Sequence, residues 1–226
     1  MSAPPHAPVS PTAQLAEHVT AAQRLEELLP QLRTVGDRLI DVFRDGGRLY
    51  TFGNGGSAAD AQHLAGEFIG RYLRERRALP AVSLVTDPSV VSCIGNDYSY
   101  DEVFARQVEA LATPGDMVVG FTTSGRSPNI VRGLAEARKR GAVTVLFTGG
   151  ASADVPAAAH ADHVLLAPAT TTARIQEMHL TLLHLLSEHV DAWAAGTGTG
   201  AGADVGCDSH CDQSEPTLHD RRENAL

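Results

Sequence analysis

The sequence has few cysteines, no long apolar run and a shortage of basic residues. Its three cysteines are an odd number and, with no secretion signal at the N-terminus, they argue against a disulfide framework. No stretch approaches the ~20 consecutive apolar residues that a membrane-spanning helix needs. There are 18 Lys and Arg against 27 Asp and Glu, and the net charge of −9 makes nucleic acid an unexpected partner. These absences predict a cytoplasmic protein that binds neither membrane nor nucleic acid.

Composition separates the two ends of the chain from its middle. Hydrophobic residues make up 43% of the 226 residues, enough for the core of one domain. Residues 1–11 carry four prolines, and residues 195–226 are first rich in Gly, Thr and Ala and then acidic and polar. We expect a disordered lead over 1–11, a single domain over 12–194 and a disordered acidic tail over 195–226. Cys207, His210 and Cys211 in the tail offer metal ligands, but without a second cysteine pair we favour an unstructured tail over a structural zinc site.

Hydrophobic periodicity divides the predicted domain into helices and strands. Apolar residues at three- and four-residue spacing predict two helices between 12 and 46, interrupted by Pro30. These helices need an apolar partner, and a neighbouring subunit fits that role. Apolar runs then predict strands near 48–52, 81–84, 117–121, 143–147 and 162–166. We expect helices after the first strand, over 87–96, from an Asp101 cap to 112, over 128–140 and over 172–194.

This alternation of strands and helices defines a fold class. Strands that are apolar throughout, with helices between them, indicate a parallel sheet covered on both faces. We therefore predict an α/β fold: a doubly wound, five-stranded parallel sheet of flavodoxin-like order 2-1-3-4-5, with N-terminal helices and a long C-terminal helix. In this order the first and third strands are neighbours, and ligands bind beyond their carboxyl ends, where the strand order reverses.

Two polar turns follow those two strands, and we call residues 53–57 and 122–127 the polar turns. The first reads Gly53-Asn54-Gly55-Gly56-Ser57, and the second has hydroxyls at Thr122, Thr123, Ser124 and Ser127. Each leads into a helix, whose N-terminus presents backbone N–H groups and the positive end of the helix dipole. Either turn alone is equally consistent with a solvated capping loop, but both on one edge of the sheet favour a phosphate site.

Further motifs accompany the polar turns in a fixed order. They are Asp60-Ala61-Gln62-His63, Glu67, Gly70-Arg71-Tyr72, Gly95-Asn96-Asp97, Thr123-Ser124-Gly125 and Ala173-Arg174-Ile175-Gln176-Glu177. Together with the first polar turn, this ordered set closely resembles the phosphoheptose isomerases, a family in the sugar isomerase (SIS) class of phosphosugar-binding domains. The resemblance covers about residues 12–194.

The resemblance implies an activity and a set of site residues. It implies isomerisation of sedoheptulose 7-phosphate to D-glycero-D-manno-heptose 7-phosphate through an enediol, with Glu67 and His184 as the acid/base pair. It also implies a homotetramer with active sites at subunit interfaces, and one zinc ion per site held by His63, Glu67, Gln176 and His184. The implied substrate contacts are Asn54, Gly55, Gly56, Ser57, His63, Glu67, Arg71, Asn96, Asp97, Thr122, Thr123, Ser124, Ser127 and Gln176. For Arg71, a structural ion pair is an equally good interpretation.

Spacing along the helices constrains how these ligands can meet. His63 and Glu67 are four residues apart, so they share one face of a helix. Gln176 and His184 are eight apart, about 12 Å along a straight helix. We therefore predict that a neighbouring subunit supplies one of the two, or that the helix is bent at its start. His179 and His189 we interpret as core or interface residues.

Three other functions remain open from the sequence. A close branch of this fold resembles the isomerases but binds the replication initiator protein without catalysis; Glu67 and His184 are replaced there and present here. A phosphosugar-sensing regulator is a second alternative, although no helix-turn-helix is recognisable in residues 1–46. The third is an isomerase of another sugar phosphate, since hydroxyl stereochemistry is not readable from sequence.

Overall fold

A computed structural model describes residues 10–150 and 155–196 of the chain. The predicted lead, except for Ser10 and Pro11, lies outside the described residues, and so does the predicted tail beyond residue 196 with its Cys207 and Cys211. Within the described ranges, no helix is long and apolar enough to cross a membrane.

A five-stranded parallel sheet forms the centre of the molecule, in the order β2-β1-β3-β4-β5. Its strands are β1 Leu49–Gly53, β2 Ala81–Ser83, β3 Met117–Phe121, β4 Val143–Gly149 and β5 His163–Ala167. The register pairs Gly53 with Phe121, so β1 and β3 end side by side and the polar turns leave the sheet together. The predicted fold class and strand order are confirmed.

Helices cover both faces of this sheet. They are α1 Pro11–Arg24, α2 Leu29–Arg44, α3 Gly56–Ile69, α4 Pro88–Asp97, α5 Ala105–Leu111, α6 Pro128–Lys139 and α7 Thr172–Ala194. One core lies between the sheet and α1, α2, α3 and α7, and a second lies between the sheet and α4, α5 and α6. Neighbouring strand residues such as Leu49 and Tyr50 belong to different cores because successive side chains of a strand point to opposite faces.

Two local expectations are corrected by the structure. The break between α1 and α2 is a 3₁₀ turn at Leu25–Leu28, and Pro30 lies in the first turn of α2, where proline has no helical hydrogen bond to lose. Asp101 does not cap a helix: it lies within a 3₁₀ turn, Tyr100–Glu102, and α5 starts only at Ala105. Burial of Val103 and Phe104 in the core between these elements overrides the local capping signal.

Candidate active site

The first polar turn sends the chain from β1 directly into α3. Gly55 has a φ of 58°, in the left-handed region that favours glycine. The Ser57 N–H donates to the Asn54 carbonyl at 3.0 Å, which closes the turn. α3 then runs back along the sheet and carries His63 and Glu67 about two and three turns from its start.

Three side chains converge where α3 packs against α7. His63 Nε2 lies 2.9 Å from Glu67 Oε1 and 3.3 Å from His184 Nε2. One ligand atom from each of the three residues lies within 4.8 Å of the other two. All three side chains are partly exposed, so a ligand can approach from solvent. We call this cluster, with the facing parts of α3 and α7, the helical corner.

The donor set and its spacing fit a zinc ion. Zinc binds imidazole nitrogen and carboxylate oxygen in a tetrahedral arrangement, in which two bound nitrogens stand about 3.3 Å apart. The two Nε2 atoms are separated by 3.3 Å. Three protein ligands with a fourth position left for water or substrate are typical of catalytic zinc sites.

Gln176 lies nearer the start of α3 than the cluster does. Its Nε2 stands 2.4 Å from the place that a Cβ on Gly56 would occupy, so a larger residue at position 56 would displace the Gln176 amide. Gly56 precedes His63 by seven residues, or about 10 Å of helix. Since α7 is one continuous helix from Thr172 to Ala194, Gln176 and His184 face α3 about two turns apart. The supply of Gln176 to the cluster of a neighbouring subunit stays a prediction.

Asp60 and Tyr72 flank the helical corner, although neither was predicted to be a site residue. Burial raises the pKa of Asp60 to about 6, against a lowering by His63. Among the described residues, its Oδ2 is buried without a hydrogen-bond partner. The Tyr72 ring lies 5.9 Å from the His184 ring, and burial together with nearby carboxylates raises its pKa. The spacing of Asp60, three residues before His63, was the signal that would have placed it on this face of α3.

The second polar turn joins β3 to α6. Gly125 has a φ of 66°, and a Cβ there would lie 2.2 Å from Val155 Cγ1, so only glycine fits. Thr122 is buried, and its Oγ1 accepts the Gly125 N–H at 3.2 Å. Thr122 therefore stabilises the turn itself, whereas Thr123, Ser124 and Ser127 are at least partly exposed at the N-terminus of α6.

A side-chain bridge joins the two polar turns. Asn54 Nδ2 donates to Asn129 Oδ1 at 2.9 Å, and Asn129 Nδ2 donates back to Asn54 Oδ1 at 3.0 Å. The Tyr100 hydroxyl donates to the same Asn54 oxygen at 3.2 Å. Neither Asn129 nor Tyr100 was predicted to be a site residue, because their contacts with Asn54 span 75 and 46 residues. The bridge confines the Asn54 side chain between the two turns.

The remaining predicted contacts lie on exposed surface. Asn96 and Asp97 end α4, where Asn96 Nδ2 donates to Asp97 Oδ1 at 2.8 Å. Arg71 Nε lies 3.8 Å from Glu75 Oε2, which matches the ion-pair interpretation, and its role towards substrate stays a prediction.

His179 and His189, which were interpreted as core or interface residues, both make structural contacts within the fold. His179 is fully buried, and its Nε2 lies 3.1 Å from the Thr148 carbonyl oxygen at the end of β4. Burial lowers the pKa of His179 to about 4. His189 Nε2 lies 2.7 Å from Asp37 Oδ1 and joins α7 to α2.

Comparison with known proteins agrees with this geometry. The SIS domain family model matches residues 15–149, so fold and site together define a SIS-domain protein. A phosphoheptose isomerase of Roseiflexus is 48% identical over 167 residues, covering 74% of this chain and 84% of the relative. One of Trichlorobacter lovleyi is 43% identical and covers 83% of this chain and 95% of the relative. The structure of phosphoheptose isomerase from Neisseria gonorrhoeae superposes with a TM-score of 0.74 at 37% identity, covering 80% and 96% of the two chains. The chain belongs to the phosphoheptose isomerase family.

Proposed function

We propose that the protein converts sedoheptulose 7-phosphate into D-glycero-D-manno-heptose 7-phosphate through an enediol. The observation that carries this proposal is the convergence of His63, Glu67 and His184 within 4.8 Å, in a chain of this isomerase family. The two polar turns leave the sheet side by side, and Gly56 at the first turn lies about 10 Å along α3 from His63; this separation suits a substrate whose phosphate is far from its reacting carbons. The second polar turn, joined to the first through Asn129, takes the phosphate at the N-terminus of α6.

In this mechanism Glu67 and His184 move the protons. One of the pair takes the proton from C1 of the ketose and returns it to C2, while the other exchanges protons with the two oxygens. Asn54 and the backbone of the first polar turn hold the sugar hydroxyls. His63, Glu67 and His184 would hold a zinc ion, with Gln176 as a further ligand. Zinc bound there would polarise the substrate carbonyl and stabilise negative charge on the enediolate oxygen.

We further propose that the protein is a homotetramer of the cytoplasm. Leu15 and Val19 on α1 are 63% and 47% exposed, and burial of such side chains against a second copy is favourable. This arrangement would also let a neighbouring subunit contribute Gln176.

The test is incubation of the purified protein with sedoheptulose 7-phosphate in deuterated water. We expect solvent deuterium at C2 of the aldose product, because the enediol is protonated from a group that exchanges with solvent. Absence of turnover both with and without added zinc would shift the interpretation to a non-catalytic adaptor. Faster turnover of another sugar phosphate would retain the mechanism and change the substrate.

A further inference from the structure

A buried arginine closes the C-terminal end of α3. The Arg76 side chain, in the segment between α3 and β2, is 0% exposed. Its guanidinium donates to the Glu67 carbonyl at 2.6 Å and to the Phe68 and Gly70 carbonyls at 3.0 and 3.2 Å. The last carbonyls of a helix have no partner within the helix and form the negative end of its dipole. Arg76 therefore caps α3 with a fixed positive charge.

The same arginine is held by a buried carboxylate of α7. Arg76 Nε donates to Asp191 Oδ1 at 2.9 Å, and the Asp191 side chain is also 0% exposed. Asp191 Oδ2 accepts the backbone N–H groups of Leu73 and Arg74 at 3.3 and 3.0 Å. The segment that follows α3 is thus wrapped around a single carboxylate of α7. We call this arrangement the Arg76–Asp191 clasp.

The clasp acts on the two helices that form the helical corner. Glu67, whose carbonyl Arg76 binds, is the residue whose carboxylate lies in the cluster. Asp191 follows His184 by seven residues, so it lies on the same face of α7 about two turns further on. A shift of α3 along α7 would break the clasp and the His63–His184 contact together.

Stability alone is a weak explanation for this ion pair. Replacing a buried ion pair by well-packed apolar residues is often neutral or stabilising, because desolvation offsets much of the attraction between the charges. A forked guanidinium that donates to four backbone carbonyls and a carboxylate instead fixes direction and register.

We propose that Arg76 and Asp191 are positioning residues, which set the register of α3 against α7 and so the geometry of His63, Glu67 and His184. The effect of this positioning on catalysis rests on the proposed function, but its effect on the geometry of the three side chains does not. In Asp191→Asn the contact between His63 and His184 loosens. The fall in kcat is then roughly tenfold to a hundredfold, as expected when catalytic groups move by about 1 Å, with little change in KM.

The control is another buried carboxylate, that of Asp116, which receives three hydrogen bonds from residues outside the helical corner. Asp116 accepts the Arg48 N–H at 2.8 Å, the Thr113 N–H at 2.8 Å and the Thr113 hydroxyl at 2.9 Å, next to the start of β3. Asp116→Asn removes a comparable charge next to the start of β3, in a residue that belongs to neither α3 nor α7. We expect it to lower the melting temperature while leaving the active site unchanged.

The experiment compares wild type, Asp191→Asn and Asp116→Asn by side-chain histidine NMR of the metal-free protein, followed by kcat and KM with zinc. The expected result is that His63 and His184 resonances shift only in Asp191→Asn. Unchanged resonances there would overturn the proposal, whether or not the protein is an isomerase. If wild type shows no turnover but the histidine resonances shift in Asp191→Asn, the proposed function is contradicted and the positioning role of the clasp is supported.

Arg76→Lys serves as the second variant if Asp191→Asn does not fold. Lysine keeps the charge for Asp191 but lacks the fork that reaches the α3 carbonyls. We expect the same histidine shifts at smaller amplitude and a smaller fall in kcat. An Arg76→Lys protein with wild-type histidine resonances and wild-type kcat would contradict the positioning role.

Discussion

The helical corner and the polar turns differ in how far along the chain their contacts reach. In the first polar turn, Ser57 bonds to Asn54, three residues earlier, and in the second, Gly125 bonds to Thr122, again three residues earlier. In the helical corner, the His63–His184 contact joins residues that are 121 apart. The bonds that close the turns are therefore local, whereas the corner exists only when α3 and α7 are packed together.

This difference separates two kinds of functional group. The polar turns offer backbone N–H groups and small hydroxyls at the ends of strands, which suit an anion that is held and not transformed. The helical corner offers titratable side chains that suit proton transfer and metal binding. Damage to the corner should therefore lower kcat, and damage to the turns should raise KM.

The largest effect is expected from Glu67→Gln in the helical corner. A glutamine keeps the shape but neither accepts the proton nor carries the charge, so we expect kcat to fall by roughly 10²–10⁴-fold. Steady-state kinetics measures this, with circular dichroism to verify folding. Glu109→Gln, at an exposed position of α5, is the matched control and should keep full activity. Retained activity in Glu67→Gln would remove Glu67 from the mechanism.

The next effect concerns His179, which joins α7 to the end of β4. Its folded pKa of about 4 is below the ordinary value of 6.5, so the folded state favours the neutral ring. The contribution of the neutral His179 ring to stability is fully present above pH 6.5 and is lost as the pH falls towards 4. The shift corresponds to about 3 kcal/mol of unfolding free energy.

Urea unfolding between pH 7 and pH 4 measures that loss. His179→Gln keeps a donor for the Thr148 carbonyl without a titrating ring, so its stability should fall less over this interval than that of wild type. Equal slopes for the two proteins would show that His179 is not a source of acid sensitivity.

A smaller effect is expected in the second polar turn, from Ser127→Ala. A hydroxyl that bonds the phosphate contributes equally to ground state and transition state, so its loss should raise KM about tenfold with kcat nearly unchanged. Ser89→Ala, exposed at the start of α4, is the control. A lower kcat with unchanged KM would contradict the division of labour between turn and corner.

The smallest effects are expected from two glycines of the same helix. Gly66 has open space around its Cβ position, so Gly66→Ala should raise the unfolding free energy by about 1 kcal/mol through helix propensity.

In Gly56→Ala the new methyl group would lie 2.4 Å from Gln176 Nε2, and Gln176 must move. Thermal unfolding and zinc titration of both variants test this: weaker zinc binding is expected only in Gly56→Ala. Equal zinc affinities of the two variants would show that Gln176 is not a zinc ligand.

Much of the fold was readable from the sequence because its signals are local. Apolar runs marked all five strands, and Asp87, which accepts the Ser89 and Val90 N–H groups, marked the start of α4. The wrong prediction at Asp101 arose where burial of Phe104 outweighed a capping preference. Within the site, His63 and Glu67 were placed correctly on one helix face by their spacing alone.

By itself, the sequence determined the order of strands and helices, the two polar turns and the face shared by His63 and Glu67, because hydrophobic periodicity and glycine stereochemistry act over a few residues. Only the tertiary structure decided that His184 meets His63, that Asn129 bridges the turns, and that Arg76 binds Asp191. These contacts span 121, 75 and 115 residues. They depend on how whole helices pack against one sheet, which no local preference specifies.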